Sequence, residues 1–222
     1  MQYRNLGLSG LRVSQLSFGS WVTFGNQLDV KEARALLQAC RDVGVNFFDN
    51  AEVYTNGRAE EIMGQAIRDL GWRHADVVIS TKLFWGGQGP NDKGLSRKHI
   101  VEGLKGSLKR LDMDYVDVVY CHRPDASTPI EETVRAMNWV IDQGWVFYWG
   151  TSEWSAQQIT EAWGSLTDST SSDLSSSSQS TISSRATRSV LSFLFFSFLF
   201  FFCCCCCLVS IMLNFDSITI LV

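Results

Sequence analysis

Apolar residues follow two alternating rhythms over the first 166 positions. One is short and nearly continuous: "QLSFGSW", "VNFFDNA", "VVISTK", "VDVVYCH" and "WVFYWGTS". Runs this short and this apolar predict strands buried on both faces, as in a parallel sheet. The other rhythm is helical. Ile100, Leu104, Leu108 and Leu111 recur on one face, as do Ile62, Met63, Ala66, Ile67 and Leu70 within Arg58–Leu70. Helix starts carry cap signals: Asp29 in "DVKE", Ser96 before "RKHI", and Ser155 with Gln158 as a capping box. In "TPIE", Thr128 is the expected N-cap, with Pro129 first in the helix and Glu131 closing the box. The opening "YRNLGLSGLRVS" sets a Gly/Ser turn between two extended runs and predicts a small hairpin.

Strand, loop and helix follow one another five times, at a spacing of about 30–40 residues that suits βαβ units with right-handed crossovers. Two α/β architectures fit, a doubly wound sheet and a (β/α)8 TIM barrel. A doubly wound nucleotide-binding sheet carries a G-x-G-x-x-G turn after its first strand, and "FGSWVTFGNQ" does not match it. In a barrel the chemistry stands at the C-terminal ends of the strands, which is where this chain collects its polar residues.

Composition divides the 222 residues. Residues 1–166 mix charge and apolar side chains as a globular domain does. Thr167–Ser189 is Ser/Thr-rich and buries too little apolar surface to offset chain entropy, so a disordered linker is expected there. Val190–Leu213 holds 24 residues without charge and five cysteines in a row, followed by a short tail, 214–222. Three readings of that run stand side by side. A membrane-spanning helix needs about 20 apolar residues, and membrane contact through this run is one. A soft-metal site is the second, although adjacent cysteines do not converge on one ion as C-x₂₋₄-C spacing does. Translation of a pyrimidine-rich stretch through a retained intron, frameshift or gene-model error is the third. The net charge of −4 gives no reason to expect a nucleic-acid partner. The N-terminus lacks the apolar core of a signal peptide, so the front of the chain is expected to be cytoplasmic. Cys40 and Cys121 then read as buried small hydrophobes or free thiols rather than a disulfide framework.

At the strand ends stand Ser20 and Trp21, then Asp49 with Glu52 and Tyr54, then Lys82, His122, and finally Thr151, Ser152 and Glu153. Singly, each has a bland explanation as a turn former, a packing residue or a solvated charge. Together on one barrel mouth, Asp49, Tyr54, Lys82 and His122 have a chemical logic. A phenol of pKa about 10 is a reluctant proton donor at neutral pH. A Lys82 cation favours the phenolate, Asp49 holds the lysine, and His122 orients a carbonyl oxygen. This is an ensemble for reducing a carbonyl, lacking only a hydride source.

The segments "FFDNAEVY", "STK", "YCHRPD" and "GTSEW" resemble the aldo-keto reductases. Within that superfamily, "SWVTFGNQLDV", "HRPD…TPIEETVRAMNWVIDQG" and "YWGTSEWSAQQITEAW" resemble the β subunits of voltage-gated potassium channels, of plant type, over residues 3–166. The resemblance implies a (β/α)8 barrel that binds NADPH, with Tyr54 as general acid, Lys82 lowering its pKa, Asp49 pairing with Lys82 and His122 orienting the substrate. It implies that Ser20, Trp21, Gln27, Asp49 and Ser152 surround the nicotinamide end of the cofactor. Glu153 departs from the pattern, because a carboxylate cannot donate to a carboxamide oxygen. The resemblance also implies a channel α subunit, through its cytoplasmic domain, as partner in potassium transport, and a homotetramer. The last three barrel strands, whose loops grip the cofactor's diphosphate and adenine, have no counterpart here. Three functions therefore stay open: a carbonyl reductase, a channel subunit, and a truncated product with neither role. An isolated five-strand sheet is also expected to leave two strand edges open.

Overall fold

The computed structural model describes residues 1–7, 9–172 and 218–221. Five of the apolar runs form five parallel strands: β3 (Phe18–Gly19), β4 (Phe47–Asp49), β5 (Val78–Leu83), β6 (Val116–Cys121) and β7 (Val146–Ser152), neighbours in that order. β5 and β6 are buried along their whole length, as their unbroken apolar character requires. Between and after the strands lie α1 (Val30–Asp42), α2 (Arg58–Asp69), α3 (Arg97–Leu111), α4 (Ile130–Asp142) and α5 (Ala156–Ser172). The predicted hairpin forms from β1 (Tyr3–Asn5) and β2 (Arg12–Ser14), paired antiparallel.

Alternation along the strands sorts the core into two layers. Phe48, Ile79 and Val119 face the helices and pack with Leu37, Ile62, Ile100, Leu104 and Val140. Phe47, Val78, Val118 and Tyr120 point the other way and are covered by Leu6 and Val13 from the hairpin strap. The strap thus closes the inner face at one end and leaves the strands' C-terminal ends to the chemistry.

Three of the four expected caps form. Asp29 accepts from the Lys31 and Glu32 backbone N–H groups, and Glu32 closes the box. Ser96 accepts from His99, and Ser155 and Gln158 bond reciprocally. Thr128 does not cap α4. Pro129 holds the N-cap position without a side-chain bond, because the Thr128 hydroxyl donates to Asp125 at 2.7 Å. Asp125 also accepts from the Leu95 and Ser127 N–H groups, so a loop-organising carboxylate outcompetes the helix end.

α5 continues to Ser172, six residues into the stretch expected to be a disordered linker. The rest of that linker and the whole Val190–Leu213 run lie outside the described residues. Ile218–Leu221 forms β8, antiparallel to β7, with Ser152 opposite Ile218 and Trp149 opposite Leu221. The expectation of two open edges is therefore corrected: β8 covers the β7 edge, while among the described residues β3 has one strand neighbour, β4. Four β-branched or apolar residues suit a strand, but so short a run carries no period by which to recognise it.

The α2–α3 contact depends on a glycine. A Cβ on Gly64 would lie 2.6 Å from the Leu111 carbonyl carbon and 2.8 Å from its Cα, backbone atoms that cannot rotate away. Gly64→Ala is expected to push these helices apart and to cost about 1–3 kcal/mol. A lowered urea midpoint with unchanged slope would show this; an unchanged midpoint would refute the close approach.

Candidate active site

Strand register decides which side chains meet. On the inner face β4 presents Phe47 then Asp49, β5 presents Val78, Ser80 and Lys82, and β6 presents Val118 and Tyr120, with His122 just beyond its end. Each series runs from apolar to polar toward the C-terminal end. Pairing sets Asp49 opposite Ser80 and Lys82 opposite Tyr120.

A buried polar chain results. Asp49, 2% exposed, accepts from the Ser80 hydroxyl at 2.7 Å and forms an ion pair with Lys82. The Lys82 ammonium also donates to the Asn50 carbonyl at 2.9 Å and to the Tyr54 hydroxyl oxygen at 3.0 Å. Burial works against the ammonium, yet the Asp49 carboxylate and Tyr54 beside it outweigh burial and hold its pKa above the ordinary value. Because Tyr54 Oη accepts from Lys82, its own hydrogen is left to point at something else.

The Tyr54 pKa differs in net direction from the sequence expectation. Lys82 does pull it down through charge and hydrogen bond, but burial is the larger effect and Asp49 adds to it, so the phenol stands above 10. The ring is held by the turn after it. Thr55 and Asn56 both have left-handed backbone (φ 51° and 53°), and the Thr55 hydroxyl donates to the Phe24 carbonyl at 2.9 Å. A β-branched residue in that region is strained, and the Thr55 bond to Phe24 anchors the turn that follows Tyr54.

His122 completes the group. Its ring stands edge-on to Tyr54, with centroids 5.9 Å apart, and to Trp85 at 4.9 Å. Burial, then the positive charges of Lys82 and Arg123, lower its pKa to about 3, so it is a neutral imidazole at physiological pH. Its Nδ1 is buried without a hydrogen-bond partner.

The residues expected around a nicotinamide are placed less uniformly. Ser20 is buried and its hydroxyl donates to the Asp49 carbonyl at 3.2 Å. Trp21 is 61% exposed and stacks beside Tyr54, with centroids 6.3 Å apart. Ser152 ends β7, half-buried. Gln27 is exposed, in a turn where its N–H donates to the Thr23 carbonyl. Glu153, at φ 58°, turns its carboxylate to Arg123 at 3.2 Å. The exposed Trp21 ring thus lies beside the Tyr54 phenol, next to an imidazole whose Nδ1 is buried and unpartnered. Among the described residues no cluster of three His, Cys, Asp or Glu side chains is grouped to hold a metal.

Residues 15–191 match the sequence profile of the aldo/keto reductase family. The chain belongs to that family. Among the curated relatives of this aldo/keto reductase chain, a probable voltage-gated potassium channel subunit beta from Oryza sativa subsp. japonica is 90% identical over 163 residues, 73% of this chain and 50% of that protein. A protein of the same description from Arabidopsis thaliana is 86% identical over 164 residues, 74% of this chain and 50% of that one. A thermostable aldo-keto reductase crystallised with the inhibitor epalrestat superposes with TM-score 0.66 at 32% identity, covering 74% of this chain and 58% of the other. The sheet is thus five βα units of the aldo/keto reductase barrel. The chain spans about half the length of the curated relatives it matches.

Two groups in this aldo/keto reductase chain escaped the sequence reading. Ser80 could have been found, since it lies two residues before Lys82 on the same strand face. The buried pair of His99 with Glu52, at 2.9 Å, could not. Glu52 also accepts the Phe84 N–H at 2.6 Å, so this pair fixes the start of the loop that carries Trp85. Neither thiol enters the site: Cys121 is fully buried, Cys40 half-buried, and burial raises both pKa values.

The His122 shift has a measurable sign. Its folded pKa lies below the unfolded value of 6.5, so the unfolded state binds more protons between about 3 and 6.5. Stability is full above 6.5 and falls as pH drops through that window, by at most about 1.4 kcal/mol per unit from this group. His122→Asn is expected to flatten the slope of unfolding free energy between pH 6.5 and 4; an unchanged slope would show that other groups set it.

Proposed function

We propose that the chain carries the reducing centre of an NADPH-dependent reductase of aldehydes and ketones, with Tyr54 as proton donor. One observation supports this above the others: a protonated phenol, bonded to a buried lysine–aspartate pair, lies beside a neutral histidine. NADPH would be held at its nicotinamide end by Ser20, Trp21, Gln27, Asp49 and Ser152, and supplies hydride to the carbonyl carbon when bound. The neutral His122 imidazole donates its N–H to the carbonyl oxygen and orients it. The Tyr54 hydroxyl then delivers its proton to that oxygen. Lys82 stabilises the negative charge left on the phenolate, and Asp49, with Ser80 behind it, keeps the ammonium in place. Burial strengthens each of these interactions relative to water.

A second role is favoured by the two plant relatives: an auxiliary subunit for a voltage-gated potassium channel α subunit, engaging its cytoplasmic domain as part of a homotetramer. A cytoplasmic location belongs to this proposal. Among the described residues no helix is long and apolar enough to cross a membrane, and the proposed membrane contact at Val190–Leu213 lies outside them.

NADPH affinity of the full purified chain separates these readings. A Kd well below millimolar supports the reductase. Absence of binding counts against it. Co-purification with a channel cytoplasmic domain, unaltered by Tyr54→Phe, supports the channel role.

A further inference from the structure

Beyond His122 the mouth carries a charged pair that the chemistry above does not use. Arg123 donates from Nη1 to the His122 carbonyl at 2.7 Å, and its guanidinium lies over the Trp85 ring, 5.5 Å from the centroid. Trp85 in turn packs against the His122 ring. Arg123 Nη2 pairs with Glu153 at 3.2 Å. The pair is open to solvent, with side chains 33% and 62% exposed. Glu153 reaches it from left-handed backbone at φ 58°, a conformation that glutamate rarely adopts. A strained residue at a site edge points to a role there.

The other charges of the site are already matched. Lys82 is paired with Asp49 and His122 is neutral. Arg123, bonded to the His122 carbonyl, is thus a cation of the site whose own partner is exposed, and a guanidinium binds carboxylates in a planar, two-donor geometry. We propose that Arg123 and Glu153 form a charge filter for the substrate. Arg123 can anchor the carboxylate of an acidic carbonyl compound, and Glu153 occupies that anchor, so the chain selects uncharged aldehydes and ketones over carboxylate-bearing ones. The proposal rests on the carbonyl-reductase reading.

The test compares benzaldehyde with para-carboxybenzaldehyde on the full chain with NADPH. The quantity read is the ratio of kcat/KM for the acid to that for the neutral aldehyde. Glu153→Gln is expected to raise this ratio about three- to tenfold, through KM for the acid, as suits a partly exposed ion pair. Added salt should shrink the gain, and Arg123→Gln in the same chain should remove it. Glu131→Gln, which removes an equal charge from an exposed pair with Arg135 on α4, should leave the ratio where it was. A ratio unmoved by Glu153→Gln, or moved equally by Glu131→Gln, overturns the filter. If neither aldehyde is reduced by any variant, the reductase reading fails, and calorimetric binding of benzoate against benzyl alcohol decides the filter. Tighter benzoate binding in Glu153→Gln supports it, and equal or undetectable binding in both chains overturns it.

Discussion

Tyr54→Phe is expected to lower kcat for NADPH-dependent aldehyde reduction by about 10²–10⁴-fold, the range for removing a positioned general acid. The substitution deletes one oxygen and keeps the ring. The edge contact with His122, the stack with Trp21 and the Lys82 ammonium 4.9 Å from the ring centroid all survive. NADPH affinity should therefore change little, and stability should fall only by the about 1–3 kcal/mol of the lost Lys82–Tyr54 bond, too little to unfold the site, which separates lost chemistry from lost folding. The pH profile carries the same assignment. A proton donor must be protonated, and burial sets the Tyr54 pKa above 10, so the rate should hold across neutral pH and fall only on the far alkaline side. His122, with a pKa of about 3, contributes no change between pH 5 and 9. A wild-type rate that falls through pH 7–8, or Tyr54→Phe retaining full turnover, would remove Tyr54 from the role.

The lysine was legible as a partner of Tyr54, but its net effect was not. Charge proximity can be argued from strand ends once a barrel is assumed, because the parallel register puts Asp49, Lys82 and His122 at one rim. Burial depth cannot, since it depends on how the loops and strand ends close around the phenol. The same division runs through the fold. Strands and helices with several turns of pattern were visible, and so were caps that compete with nothing, at Asp29, Ser96 and Ser155. Thr128 failed as a cap because Asp125, three residues earlier, offers its hydroxyl a stronger acceptor. Ser80 could have been found by counting two back from Lys82. Trp85, Arg123 and Glu153 could not be brought together from sequence, because three separate loops place them and loop paths have no period. Short β8 has the same difficulty, and its pairing with β7 is long-range.

Glu60 shows what a buried charge does when it has no reacting group beside it. It is fully buried in α2, accepts from the Thr81 hydroxyl at 2.5 Å and pairs with Arg110 of α3 at 2.6 Å. Every partner is protein, and the pair ties two helices to β5. Lys82 differs in one respect: one of its three bonds goes to a phenol whose own hydrogen remains available. A mutant cycle can tell whether that geometry serves a reaction or only packing.

Lys82→Met should destabilise the chain by about 3–5 kcal/mol, because it leaves the Asp49 carboxylate, 2% exposed, buried without its cation. Asp49→Leu should cost a similar amount by stranding the ammonium. The double variant Lys82→Met/Asp49→Leu removes both charges and fills the space with apolar atoms. Replacing a whole buried pair in this way is often neutral or stabilising, so its urea midpoint should return close to wild type. The coupling energy between the two sites is then nearly as large as either single loss. Activity should follow a different rule. Without Lys82 nothing stabilises the phenolate that proton donation leaves behind, so Lys82→Met and the double variant should both lose carbonyl reduction, and the recovered fold of the double variant should not restore it. A double variant that is both stable and active would show the pair to be structural only. One that stays as unstable as the single variants would show that the Ser80 and Asn50 bonds, rather than the ion pair, hold these strand ends together.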